Sequence, residues 1–142
     1  MGRMGKGVKM NKEILFRGKR VDNDEWTFGD LIVSKNKYYI HPQGNSFQVD
    51  GVLSRLIVLH EVKSETVGQY TGLTDKNGKK IFEGDIVKCL SLEYGYVNKE
   101  VYYTEGKAKF GLSSCGTDYE FGEYIDVEVI GNIYDNPELL EK

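Results

Sequence analysis

Apolar and polar residues alternate along this chain in short runs broken by turn residues, and no long 3.6-residue stripe appears. Alternation with a period of two marks strands with one buried face. It predicts strands at 14–19, 25–28, 31–34, 37–41, 55–62, 67–70, 80–82, 85–90, 101–104, 108–112 and 124–134. Asp22-Asn23-Asp24, Asp75-Lys76-Asn77-Gly78 and Glu105-Gly106 supply turn chemistry between them. Asn77-Gly78 is the strongest signal, because both residues tolerate the positive φ of a tight hairpin. Asn136 as an N-cap and Pro137 in the first turn predict one short helix through Lys142.

A phrase is written twice. Phe16-x-Gly18, Asn23 and Gly29-Asp30 followed by Ile32-Val33 overlay Tyr70-x-Gly72, Asn77 and Gly84-Asp85 followed by Ile86-Val87, with one residue gapped. A glycine inside a strand marks a bulge or sharp bend. An aspartate after it can accept hydrogen bonds from freed backbone N–H groups. Gly29, Asp30, Gly84 and Asp85 are therefore expected to be structural corners, each used in the same way. Two copies imply a duplicated supersecondary unit, since a solenoid needs three or more. The predicted fold is all-β: two related small curled β units, partly open and barrel-like, with the short C-terminal helix. The expected organisation is a flexible basic leader at 1–12 and a β domain at 13–142, in subunits of about 13–66 and 67–142.

Composition agrees. Seventeen glycines, ten tyrosines and two prolines in 142 residues favour pleated sheet and turns. The chain can bury a core without a metal or disulfide. With no apolar leader and no long apolar run, a cytoplasmic location and no membrane partner are expected, with Cys89 and Cys115 as free thiols. Charge is uneven. Residues 1–20 carry Arg3, Lys6, Lys9, Lys12, Arg17, Lys19 and Arg20 against Glu13 alone. These seven are the candidate polyanion contacts, for nucleic acid or an acidic neighbouring subunit. The acidic balance of the rest of the chain opposes a large phosphate-binding face.

Other candidate sites fail on spacing. Gly72 to Lys79 places five residues between its glycines where a phosphate loop needs four, and Lys80 stands where a Ser or Thr belongs. As a calcium loop, the same stretch puts Leu73 and Gly84 where ligands are needed. His41, His60, Cys89 and Cys115 share no short zinc spacing, and Cys115 has no base beside it in sequence. No metal or cofactor is expected. Glu83 and Asp85 lie two apart and could face one way on a strand, which admits a small hydrolase as an alternative. Tyr38-Tyr39, Tyr94-x-Tyr96 and Tyr102-Tyr103 could stack on bases, although cross-strand pairs and oligomer contacts are the commoner use.

Several phrases occur together and in order. They are Glu65-Thr66-Val67-Gly68-Gln69-Tyr70-Thr71-Gly72-Leu73, Asp75-Lys76-Asn77-Gly78-Lys79, Ile81-Phe82-Glu83-Gly84-Asp85-Ile86-Val87, and Val129 to Leu140 (VIGNIYDNPELL). With Phe16-Arg17-Gly18-Lys19 and Trp26-x-Phe28-Gly29-Asp30-Leu31, they resemble the YopX family, encoded by phages and prophages of bacteria. The resemblance runs from about Ile14 to Leu140 and leaves out the leader. It implies a largely β, oligomeric fold and offers no catalytic residues to carry over. The expected function is that of a phage or prophage accessory protein: a non-catalytic, homo-oligomeric binding module. The alternatives are a nucleic-acid-associated protein using the leader, and a hydrolase centred on Glu83 and Asp85.

Overall fold

A computed structural model describes residues 13–42, 58–114, 117–119 and 125–141. Among the described residues, eleven strands form two antiparallel sheets. The first holds β1 (Phe16–Lys19), β2 (Trp26–Ser34), β3 (Lys37–Pro42), β4 (His60–Val62), β5 (Gly68–Thr74) and β6 (Lys80–Phe82), in the order β4-β3-β2-β1-β5-β6. The second holds β7 (Asp85–Ser91), β8 (Gly95–Thr104), β9 (Lys109–Ser114), β10 (Thr117–Tyr119) and β11 (Ile125–Asn132), in the order β10-β9-β8-β7-β11. The fold is all-β, and neither sheet closes into a barrel. The expected C-terminal helix is a single 3-10 turn, Pro137–Leu140. Asn136 precedes it without capping it, because its Oδ1 accepts the Asn132 N–H instead. No helix among the described residues is long and apolar enough to cross a membrane.

Two predicted strands, 25–28 and 31–34, are one continuous strand. Gly29 and Asp30 lie inside β2, paired with Pro42 and His41 of β3. The duplicated corner is therefore corrected: the two Gly-Asp steps have unrelated geometries. Gly29 is required by a close approach, since a Cβ there would lie 1.9 Å from the His41 carbonyl oxygen. The Asp30 carboxylate is 75% exposed, with His41 Nδ1 at 3.7 Å. Gly84 instead has φ +92 and turns the chain from β6 into β7. There Asp85 Oδ2 accepts the Phe82 N–H at 2.7 Å. The physical difference is Glu83, the extra residue of the second copy. It replaces a straight continuation with a turn that only glycine enters without strain.

The hairpins themselves do correspond. β1–β2 and β5–β6 are antiparallel pairs that meet through the antiparallel β1–β5 ladder, so the sheet reads β2-β1-β5-β6 toward its β6 edge. The equivalent phenylalanines Phe28 and Phe82 touch edge to face, with ring centroids 5.4 Å apart. The sheets do not follow the expected division at 66/67, because β5 and β6 join the first sheet.

The short strand β6 links the two cores. Neighbouring strand residues face opposite ways. Ile81 packs with Val87, Cys89, Val101 and Leu112, all from the second sheet, while Phe82 packs with Leu15 and Tyr70. A second link is the Asp75 carboxylate in the turn before β6. Its Oδ1 accepts the N–H groups of Asn77 and Lys79, and its Oδ2 accepts the N–H of Val129 in β11, each at 2.9 Å. Burial pushes this carboxyl up, but the three N–H donors together outweigh that and hold it below its ordinary value. Asp75→Asn would aim an amide NH2 at one of these donors. Denaturant unfolding should show a loss of roughly 2–4 kcal/mol, the scale of charge-assisted bonds lost in a buried setting.

Candidate functional site

A cleft of about 500 Å³ lies between the first sheet and the β7–β11 side of the second. Strand alternation builds it. Leu15 and Arg17 project from the β1 segment, Trp26 and Phe28 from β2, Lys80 and Phe82 from β6, and Asp85 and Val129 from β7 and β11. Lys79, Asn132 and Asp135 complete the rim.

Arg17 forms the centre of this arrangement and is 6% exposed. Its Nη1 pairs with Asp85 Oδ1 at 2.8 Å, and its Nη2 donates to the Glu83 carbonyl oxygen at 3.3 Å. The guanidinium carbon lies 4.5 Å from the centre of the Trp26 ring and 5.0 Å from that of Phe82, so two aromatic rings face the cation. Its Nε–H finds no acceptor among the described residues. Burial holds the Asp85 carboxyl above its ordinary value, and the Arg17 charge and the Phe82 N–H pull it only part of the way back. Beside this pair, Asp135 ion-pairs with Lys19 and accepts hydrogen bonds from Trp26 Nε1 (2.9 Å) and Asn132 Nδ2 (3.2 Å). The Lys19 contact and the Trp26 bond bring the Asp135 carboxyl down to about 2. Trp26 also leans on Tyr134, with centroids 5.8 Å apart. Both carboxylates of the cleft are thus consumed by internal partners on both oxygens.

The sequence-derived candidates scatter. Arg17 is corrected from a polyanion contact to a buried ion-pair member. Lys19 is held by Asp135 and Arg20 by Asp22, while Arg3, Lys6, Lys9 and Lys12 lie outside the described residues. Glu83 is half-buried but does not line the cleft with Asp85. Burial raises the Glu83 carboxyl, and burial with the nearby Glu83 charge raises Glu100. His41 is in β3, His60 in β4, and Cys89 is buried in β7 with its thiol pushed up to about 11 by that burial. Cys115 lies outside the described residues. Among the described residues no three His, Cys, Asp or Glu side chains are grouped as metal ligands would be. The tyrosine runs stay away from the cleft lining. Tyr96 donates to Asp126 at 2.9 Å with Lys88 over its ring, and Tyr103 packs on Phe110. The aromatic walls are instead Trp26, Phe28 and Phe82. In the sequence these three stand out only within the phrases that carry the family resemblance.

The family model for YopX protein matches residues 15–141. The chain belongs to the YopX family. Among its YopX relatives is the SPbeta prophage-derived uncharacterized protein YopX of Bacillus subtilis (strain 168), 37% identical over 70 residues. That match covers 45% of this chain and about half, 52%, of the relative. The fold also resembles the crystal structure of protein EF1440 from Enterococcus faecalis, with a TM-score of 0.63 and 25% identity. This likeness covers 91% of the chain and 99% of the other protein. The YopX match spans every residue of the cleft, from Leu15 to Asp135.

Replacing Arg17 by Met keeps much of the packing but strands the Asp85 charge, at a cost of about 3–5 kcal/mol. Without the cation, the Asp85 carboxyl rises further above its unfolded value. A carboxyl so raised binds protons preferentially in the folded state, so the stability of Arg17→Met increases as pH falls. Urea unfolding should therefore show a smaller deficit for Arg17→Met at about pH 5 than at about pH 7.5.

Proposed function

We propose that this YopX-family chain is a phage or prophage accessory protein that acts by binding and not by catalysis, as a homo-oligomer in the host cytoplasm. The inter-sheet cleft is its ligand site. The observation that carries this reading is the division of labour in the cleft. Its acids are locked into internal ion pairs and hydrogen bonds, while aromatic surface stays open: Phe28 remains 40% exposed. A concavity of a few hundred Å³ with apolar walls and a few polar groups is the usual form of a small-ligand site. The Bacillus subtilis relative is prophage-derived, which supports the phage setting.

The hydrolase alternative draws nothing from the geometry. General acid–base work needs a carboxyl free to exchange a proton with substrate. Asp85 is engaged on both oxygens, and Glu83 is not beside it in the cleft lining. The nucleic-acid alternative loses Arg17 to the buried pair.

Trp26 is the single tryptophan of the chain and lines the cleft, so its fluorescence reports occupancy. Screening a set of small aromatic compounds should give saturable changes in Trp26 emission for at least one class. Phe28→Ala, which removes an exposed wall, should weaken that response about tenfold or more, measured well below an unfolding midpoint that the lost Phe82 contact also lowers. A response untouched by Phe28→Ala would place the binding elsewhere.

A further inference from the structure

We infer that the ligand of the cleft is a flat aromatic ring joined to a phosphate, the chemistry of a mononucleotide, either free or at the end of a strand. This rests on the reading of the cleft as a ligand site and adds the ligand class. The ring preference follows from the walls, where Phe28 presents an exposed ring beside the half-buried Trp26, with Phe82 packed behind it. Stacking on such surfaces accepts any planar ring without demanding a hydrogen-bond pattern.

The charge preference follows from what remains unspent. Asp85 is neutralised by Arg17 and Asp135 by Lys19. Two further cations stand in the lining, Lys79 and Lys80. Lys79 is exposed and makes no ion pair among the described residues. Lys80 meets Glu13 at 3.3 Å, with both side chains about two-fifths exposed, and an exposed pair of this kind is weak and readily exchanged. The cleft therefore offers a net positive rim above an aromatic wall. Two ammonium groups lining one cleft suit a phosphate dianion better than a single carboxylate. The volume of about 500 Å³ leaves room for a base, a sugar and one phosphate. The unpartnered Nε–H of Arg17 adds a donor within the residue that floors the cleft.

The test is titration of the full-length chain, followed by Trp26 fluorescence. The probes are adenosine 5′-monophosphate, adenosine, ribose 5-phosphate and a 5′-phosphorylated single-stranded oligodeoxyadenylate. The nucleotide should bind at least about tenfold more tightly than either the nucleoside or the sugar phosphate, since each lacks one of the two contacts. The double variant Lys79→Ala/Lys80→Ala, changed at one exposed and one half-buried position outside the core, should lower nucleotide affinity to near that of adenosine. It should leave adenosine binding unchanged. Tighter binding of the oligonucleotide assigns a strand end as the source, and equal or weaker binding assigns the free nucleotide; either outcome supports the ligand class. If adenosine binds as tightly as the nucleotide and both need Phe28, the phosphate assignment is wrong while the cleft stays a ligand site. If none of the probes moves Trp26, the ligand class is overturned. If the wider aromatic screen is silent as well, the reading of the cleft as a ligand site falls with it.

Discussion

A guanidinium buried between two sheets is the constraint on which the rest of this structure depends. Taking an arginine charge out of water costs several kcal/mol, and the cost is offset only where a counter-charge and further partners surround the group. Arg17 meets the Asp85 carboxylate, the Glu83 carbonyl and the rings of Trp26 and Phe82. Arg17 stands in β1 of the first sheet, and Asp85 opens β7 of the second. Separating the sheets would leave two unpaired charges, so the pair fixes how the sheets sit. It thereby fixes the cleft that both sheets line.

The turn that delivers Asp85 to this position is a one-residue departure from a repeated plan. In the first hairpin, Phe28 runs through Gly29 into a long straight strand. In the second, Glu83 intervenes after Phe82, Gly84 takes a positive φ, and the chain leaves the sheet. The Glu83 carbonyl then accepts from Arg17, and the Asp85 carboxylate caps the Phe82 N–H. A departure from symmetry within two similar hairpins thus creates the inter-sheet contact, and Ile81 carries the apolar part of it into the second core.

Much of the fold was legible in the sequence because it rests on local signals. Alternation placed β1, β3, β6 and β7 to within two residues, and Gly78 takes the expected positive φ, +84, although Asn77 does not share it. Errors came where tertiary contacts override local chemistry. Gly29-Asp30 looks like a break, but it is held straight by the β3 backbone at His41. The first half of β8, Gly95–Glu100, is exposed at its start and polar along much of its length, yet it pairs with β7 throughout. β10 is three residues long and gave no alternation to read. The site was harder still. Arg17 lies among basic neighbours, so sequence assigns it to the same charged surface, and only the fold brings Asp85, 68 positions away in sequence, to its guanidinium. Asp75 was legible as a turn residue, but not as a tie to Val129, a contact across 54 positions.

The central claim, that the Arg17–Asp85 pair couples the two sheets, is tested most directly by a double-mutant cycle. Arg17→Met, Asp85→Leu and the double variant would be compared with the parent by urea unfolding at neutral pH. The account predicts a coupling of about 2–3 kcal/mol, with the double variant much less damaged than the sum of the singles, because neither charge is left stranded. Additivity to within about 0.5 kcal/mol would mean the two side chains contribute independently, and would contradict the account.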